Sequence, residues 1–168
     1  MRVKYLFLGL MALVLLSCDE ILNDRKIWDI SPVEVTLQVV DANGVDILNP
    51  DSKNSIPENG LKALYNGVEY KCNENLSEVG TKAYLPHFYG LKVYKSSYYG
   101  TYILQFGEFD GTNNYSNEEV IISWGDGSYD KIRFNRKFRW KLNGDPSISQ
   151  EWFLNGTKVS DGLIKIVK

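Results

Sequence analysis

After Pro32, apolar side chains recur in short runs, alternating or continuous, separated by turn signals. Val33, Val35, Leu37 and Val39 fall on one face of an extended segment, and Asp41-Ala42-Asn43-Gly44 turns the chain. The polar stretch from Asn49 to Gly60, with two prolines, reads as a long loop. Leu61 to Tyr65 and Val68 to Cys72 flank Asn66-Gly67, and Trp152 to Leu154 and Lys158-Val159 flank Asn155-Gly156. Asn-Gly between such runs is a strong hairpin signal, because both central residues of the tight turn need positive φ. Leu91 to Tyr94, Thr101 to Phe106, Glu119 to Trp124, Tyr129 to Phe134 and Phe138 to Leu142 read as further strands, and Ile164 and Ile166 mark a last one. Asn73 to Tyr89, holding Pro86 and His87, reads as loop with a short strand. No window in this part of the chain has convincing helical periodicity, and no internal repeat emerges. Short strands at this spacing predict an all-β sandwich or barrel.

The first residues follow another pattern. Arg2 and Lys4 precede an almost unbroken apolar run from Leu6 to Leu16. That is the layout of an export signal, and the run falls short of the about 20 apolar residues that span a bilayer. It ends in Leu15-Leu16-Ser17-Cys18, which resembles the bacterial lipobox. The resemblance implies cleavage before Cys18 and a lipid on its sulfur. Asp19-Glu20, with Asn23 and Asp24, is similar to the acidic export tag of surface lipoproteins of the Bacteroidetes. An Asp directly after the cysteine also resembles an inner-membrane retention signal of enteric bacteria. The expected organisation is a signal peptide over 1–17, a lipidated tether over 18–30 and one domain over 31–168. The expected location is the outer membrane, facing the exterior, with the membrane itself as first partner.

Removing residues 1–17 leaves 151, enough for one domain with a proper core. The mature chain carries 17 basic and 21 acidic residues, a net charge of about −4. A mildly acidic chain with interspersed signs lacks the basic face that nucleic acid requires. With Cys18 committed to lipid, Cys72 has no disulfide partner. Alternation puts Cys72 on one face with Val68 and Tyr70, as a small hydrophobe would be.

The best internal motif is Val120-Ile121-Ile122-Ser123-Trp124-Gly125-Asp126-Gly127-Ser128. It resembles the Trp-x-Phe-Gly-Asp-Gly segment of PKD-type domains, although Trp124 directly precedes Gly125 where that family has Phe. The resemblance implies a single immunoglobulin-like, PKD-like antiparallel β-sandwich. The lipobox followed by short strands is similar to small lipoproteins of gut Bacteroidetes, which implies a cell-surface setting but no reaction.

Candidate chemistry is sparse. An oxygen-rich segment, Glu108 to Glu119, offers Asp110, Asn113 and Glu118 as calcium candidates, since calcium takes six to eight oxygen ligands. Its spacing does not match an EF-hand, and solvated hairpin connections explain it equally. Tyr98, Tyr99, Tyr102 and Tyr115, with Phe88 and Tyr89, are candidates for a sugar-stacking surface. Tyr98-Tyr99 stands out, because adjacent residues in a strand face opposite ways and one should be exposed. Lys131, Arg133, Lys137, Arg139 and Lys141 alternate with Ile132, Phe134, Phe138, Trp140 and Leu142 across two expected strands that turn at Asn135-Arg136. This is either a solvated sheet face or a basic stripe for an acidic glycan or phospholipid headgroups. No nucleophile elbow accompanies His87, no Cys/His cluster has zinc spacing, and no cofactor is expected. The reading is a non-enzymatic interaction or accessory module with a glycan or protein partner; the alternatives are a glycan-binding lipoprotein of a polysaccharide-capture system and a diverged hydrolase.

Overall fold

The computed structural model describes residues 27–74, 88–160 and 162–168, with side chains left out at 88 and 89. Residues 1–17, Cys18, most of the tether, Pro86 and His87 lie outside the described residues. The strands are β1 (Val33–Val40), β2 (Lys62–Tyr65), β3 (Val68–Lys71), β4 (Phe88–Lys95), β5 (Tyr102–Phe109), β6 (Tyr115–Ser123), β7 (Tyr129–Trp140), β8 (Pro146–Leu154), β9 (Thr157–Val159) and β10 (Leu163–Val167). A single 3-10 turn over Glu58–Gly60 interrupts the loop before β2.

The strands form two sheets that pack as an immunoglobulin-like sandwich, ordered β10-β1-β5-β4 and β3-β2-β6-β7-β8-β9. The pairs β1–β5, β4–β5, β2–β3, β2–β6, β6–β7 and β8–β9 are antiparallel, whereas β1 and β10 run parallel, Leu37 opposite Ile164. The larger compact unit is Ile30–Phe138 with Ile148–Lys168, whereas the β7–β8 connection, Arg139–Ser147, belongs to a second unit.

Alternation decides which side chains enter the core of the larger unit. Val33, Val35, Leu37 and Val39 of β1 are buried, as are Leu104, Phe106 and Phe109 of β5 and Val120 and Ile122 of β6. Phe109 keeps the inward direction despite an odd offset from Phe106, because the pairing of β1 with β5 shifts register between Val33 and Val35. A chain of edge-on rings crosses the core, from Tyr65 to Phe109 at 5.3 Å and from Phe109 to Phe134 at 5.2 Å. Phe134 then meets Trp152 at 5.0 Å. Burying each such side chain stabilises by about 1.5–3 kcal/mol.

The Asn-Gly hairpins form as the pattern requires. Asn66 and Gly67 take φ of 49° and 78°, and Asn155 and Gly156 take 49° and 86°.

The structure differs from the sequence reading along β7. No turn forms at Asn135-Arg136; β7 is one strand of 12 residues. Asn135 instead lends its amide oxygen to the Asn117 N–H at 2.7 Å, filling a gap where β6 bulges. Arg136 points inward and is buried, its Nε donating to the Gly111 carbonyl at 2.9 Å and its Nη1 to Gln150. A buried guanidinium needs such acceptors to offset its desolvation. The chain reverses later, where the Lys141 N–H donates to the Asp145 carbonyl at 2.9 Å. The dipeptide Asn143-Gly144 was the available signal for that turn.

Candidate binding surface

The four-stranded sheet turns one face to the core, and on its other face Ile103 and Gln105 are buried while Tyr94 stays exposed. On that outer face Thr36, Gln105 and Lys92 form one row across β1, β5 and β4, while Ile103 and Tyr94 form the next. Gln105 is only 4% exposed although it lies on the outer face. Its amide oxygen accepts the Tyr94 hydroxyl at 2.9 Å, and its amide donates to the Glu34 carboxylate. Burial pushes the Glu34 carboxyl above its ordinary range, against the opposing pull of Lys92. Burial likewise raises the Tyr94 phenol, helped by the charges of Glu34 and Tyr99. Lys92 Nζ stands 5.5 Å from the Tyr94 ring centre, within cation–π range.

The β4–β5 connection carries two more aromatic rings beside this face. Ser96 is buried and fixes the turn, its hydroxyl accepting the Tyr99 N–H at 3.2 Å and its carbonyl the Gly100 N–H at 2.9 Å. Tyr98 and Tyr99 therefore sit on a turn and not in a strand, and both rings are exposed, Tyr98 at 87%. They meet edge to face at 4.8 Å. Exposed rings on a fixed turn, with Tyr99 close enough to Tyr94 to act on its phenol, can stack on the apolar face of a sugar or side chain and offer their hydroxyls to its edges.

The other aromatic candidates are placed differently. Tyr102 is half-buried against the core, its N–H donating to Asp46 at 2.9 Å. Tyr115 packs its ring on Phe109 and Phe134 at 5.9 and 5.3 Å and donates its hydroxyl to the Asp110 carbonyl. These two do not join the Tyr98–Tyr99 surface.

The three calcium candidates have separate local tasks. Asp110 closes a turn by accepting the Thr112 N–H at 2.8 Å and its hydroxyl at 2.7 Å. Asn113 donates its own N–H to the Asp110 carbonyl. Glu118 accepts the Tyr65 hydroxyl at 2.6 Å. Among the described residues, no group of three or more His, Cys, Asp or Glu side chains is placed to hold a metal.

Cys72 lies where β3 ends and bridges to Leu91 in the middle of β4. Burial, with the Glu58 carboxylate beside it, pushes its thiol up to about 11, so it stays protonated at neutral pH.

Sequence reasoning missed Glu34, Lys92, Tyr94 and Gln105 as a group. Each reads as the polar member of an alternating strand or as a core aromatic, and only strand register brings them together. A polar Gln105 amid Leu104 and Phe106 was the one local hint. No protein family, curated protein or solved structure matches this chain.

Proposed function

We propose that this protein is a bacterial lipoprotein anchored through Cys18, displayed on the outer membrane, and working as a non-enzymatic interaction module. The observation that supports a binding role is the exposed pair Tyr98–Tyr99, held on its turn by Ser96 and close to Tyr94. Rigid aromatic side chains lose little entropy on contact and combine apolar area with a polar handle.

The same observation favours a narrower second reading, glycan capture. Sugars present apolar ring faces and hydroxyl edges, which suit exposed tyrosine rings and their hydroxyls. The test is a glycan array probed with the chain from Asp19 onward, lipid-free, as wild type and as Tyr98→Ala and Tyr99→Ala. Binding to one polysaccharide class that both variants lose supports glycan capture. A blank array removes that reading and leaves a protein partner, to be sought by crosslinking at position 98. Binding that survives both substitutions puts the contact elsewhere and refutes this surface. The anchor is tested separately: Cys18→Ala should release the protein from the membrane fraction, and unchanged, detergent-dependent retention would refute it.

A further inference from the structure

The turn between β7 and β8 is built unlike the rest of the sheet surface. Along β7, one alternating set begins with the fully buried Ile132 and Phe134, passes the buried Arg136, and reaches the half-buried Phe138. It continues to Trp140, 55% exposed, and then, in the turn, to a fully exposed Leu142. The other set carries Lys137, Arg139 and Lys141, all exposed. Within the Arg139–Ser147 connection, two large apolar side chains, Trp140 and Leu142, are thus interleaved with two cations, Arg139 and Lys141.

We infer that this hairpin tip docks on a lipid bilayer bearing anionic headgroups, Trp140 and Leu142 entering the interface while Arg139 and Lys141 meet the phosphates. Three physical points carry it. Tryptophan and leucine gain by leaving water at the headgroup boundary, where an indole keeps its N–H wet. Local charge is reversed: from Arg139 to Ser147 there are two cations to one carboxylate, Asp145, in a chain of net charge −2. Each Lys or Arg near an anionic leaflet adds an attraction that salt screens.

The turn is also pre-shaped. Lys141 and Asp145 close it by a backbone bond at 2.9 Å, the Gly144 N–H donates to the Lys141 carbonyl at 3.0 Å, and the Asn143 amide donates to the Asp145 carboxylate at 2.7 Å. A rigid tip gives up little conformational freedom on insertion. A second copy of the chain is a poorer occupant, because pairing two tips would bring their cations together.

If Cys18 carries a lipid, as proposed above, the stretch from Asp19 to Ile30 reaches at most about 40 Å. That tether would keep the tip at high effective concentration near the bilayer, so a weak affinity suffices. The docking itself does not depend on the anchor.

The test uses the lipid-free chain from Asp19 onward, sedimented at low salt with phosphatidylcholine vesicles, with and without phosphatidylglycerol. Wild type should pellet with the anionic vesicles. The pair Trp140→Ser and Leu142→Ser should weaken this by about tenfold or more, as should Arg139→Glu with Lys141→Glu, both at unchanged melting temperature. Folded wild type that stays in the supernatant overturns the proposal, and so does pelleting that ignores both variants. A concentration-dependent dimer that Leu142→Ser disperses, without vesicle affinity, overturns it in favour of self-association. Because no lipid is attached, none of these outcomes depends on Cys18.

Discussion

Trp124 and Tyr94 are each an aromatic residue near the end of a strand with a carboxylate and a lysine in reach, yet they have opposite fates. Trp124 is 2% exposed. Its indole N–H donates to Asp130 at 2.7 Å, and Lys168 Nζ lies 4.7 Å above its ring. Asp130 also accepts the Asn155 amide at 2.6 Å, and Lys168 reaches the Ser128 hydroxyl at 2.7 Å. Gly125 follows in contact with Gly60, so the motif is locked from both sides. Tyr94, by contrast, keeps its ring on the outer face, and its partners Gln105 and Glu34 belong to neighbouring strands of the same sheet. The chemistry of the two clusters is alike. Around Trp124 two turns and the last residue of the chain close over the ring, while over Tyr94 nothing among the described residues completes a lid. An aromatic residue with polar neighbours therefore marks a structural clasp or a contact surface according to what covers it.

Three measurements break or sharpen that contrast. The largest effect is expected for Trp124→Ala, which should destabilise the fold by about 3–5 kcal/mol, whereas Tyr98→Ala should stay within about 0.5 kcal/mol. Denaturant titration of both variants decides it, and comparable losses would erase the distinction between clasp and surface.

Next comes Gly125→Ala. Gly125 has φ +83°, and a Cβ there would stand 2.8 Å from Gly60 Cα, with backbone on both sides. A loss of about 1–3 kcal/mol is expected. Wild-type stability in this variant would mean that the Trp124 clasp tolerates a looser turn.

The smallest effect concerns the outer face. Glu34 has a folded-state pKa raised by burial, so its contribution is present below the unfolded carboxyl range and is lost as pH rises through the folded value. Glu34→Gln should therefore melt slightly higher than wild type at pH 7, and the two curves should converge near pH 3. Parallel melting curves across that range would show Glu34 to be as well solvated as an ordinary surface acid.

The Lys131 to Lys141 segment shows where local pattern and tertiary structure part company. Its alternation was legible and sets the inner face as far as Phe138, but the exposure of Trp140 and Leu142 and the place of the strand break were not. Asn135-Arg136 reads as a turn in isolation, because a polar pair between apolar runs usually is one. The bulge in β6 offers Asn135 an N–H to cap, and Gly111 and Gln150 offer Arg136 acceptors, so an extended strand is the better solution. Asp46 was equally invisible: it gathers the Thr101 hydroxyl at 2.6 Å and the Tyr102 N–H at 2.9 Å across a long sequence separation.

What the sequence by itself determined is what local physics dictates. Period-two patterning set the strands and their inner faces, Asn-Gly set two hairpins through its tolerance of positive φ, and the Trp124 motif marked a buried strand end. Which side chains share a surface was decided only by the tertiary structure. Glu34, Lys92, Tyr94 and Gln105 come from three strands, and their meeting depends on register between β1, β5 and β4. Register is fixed by the summed burial of whole strands, a long-range quantity that no single window of residues contains.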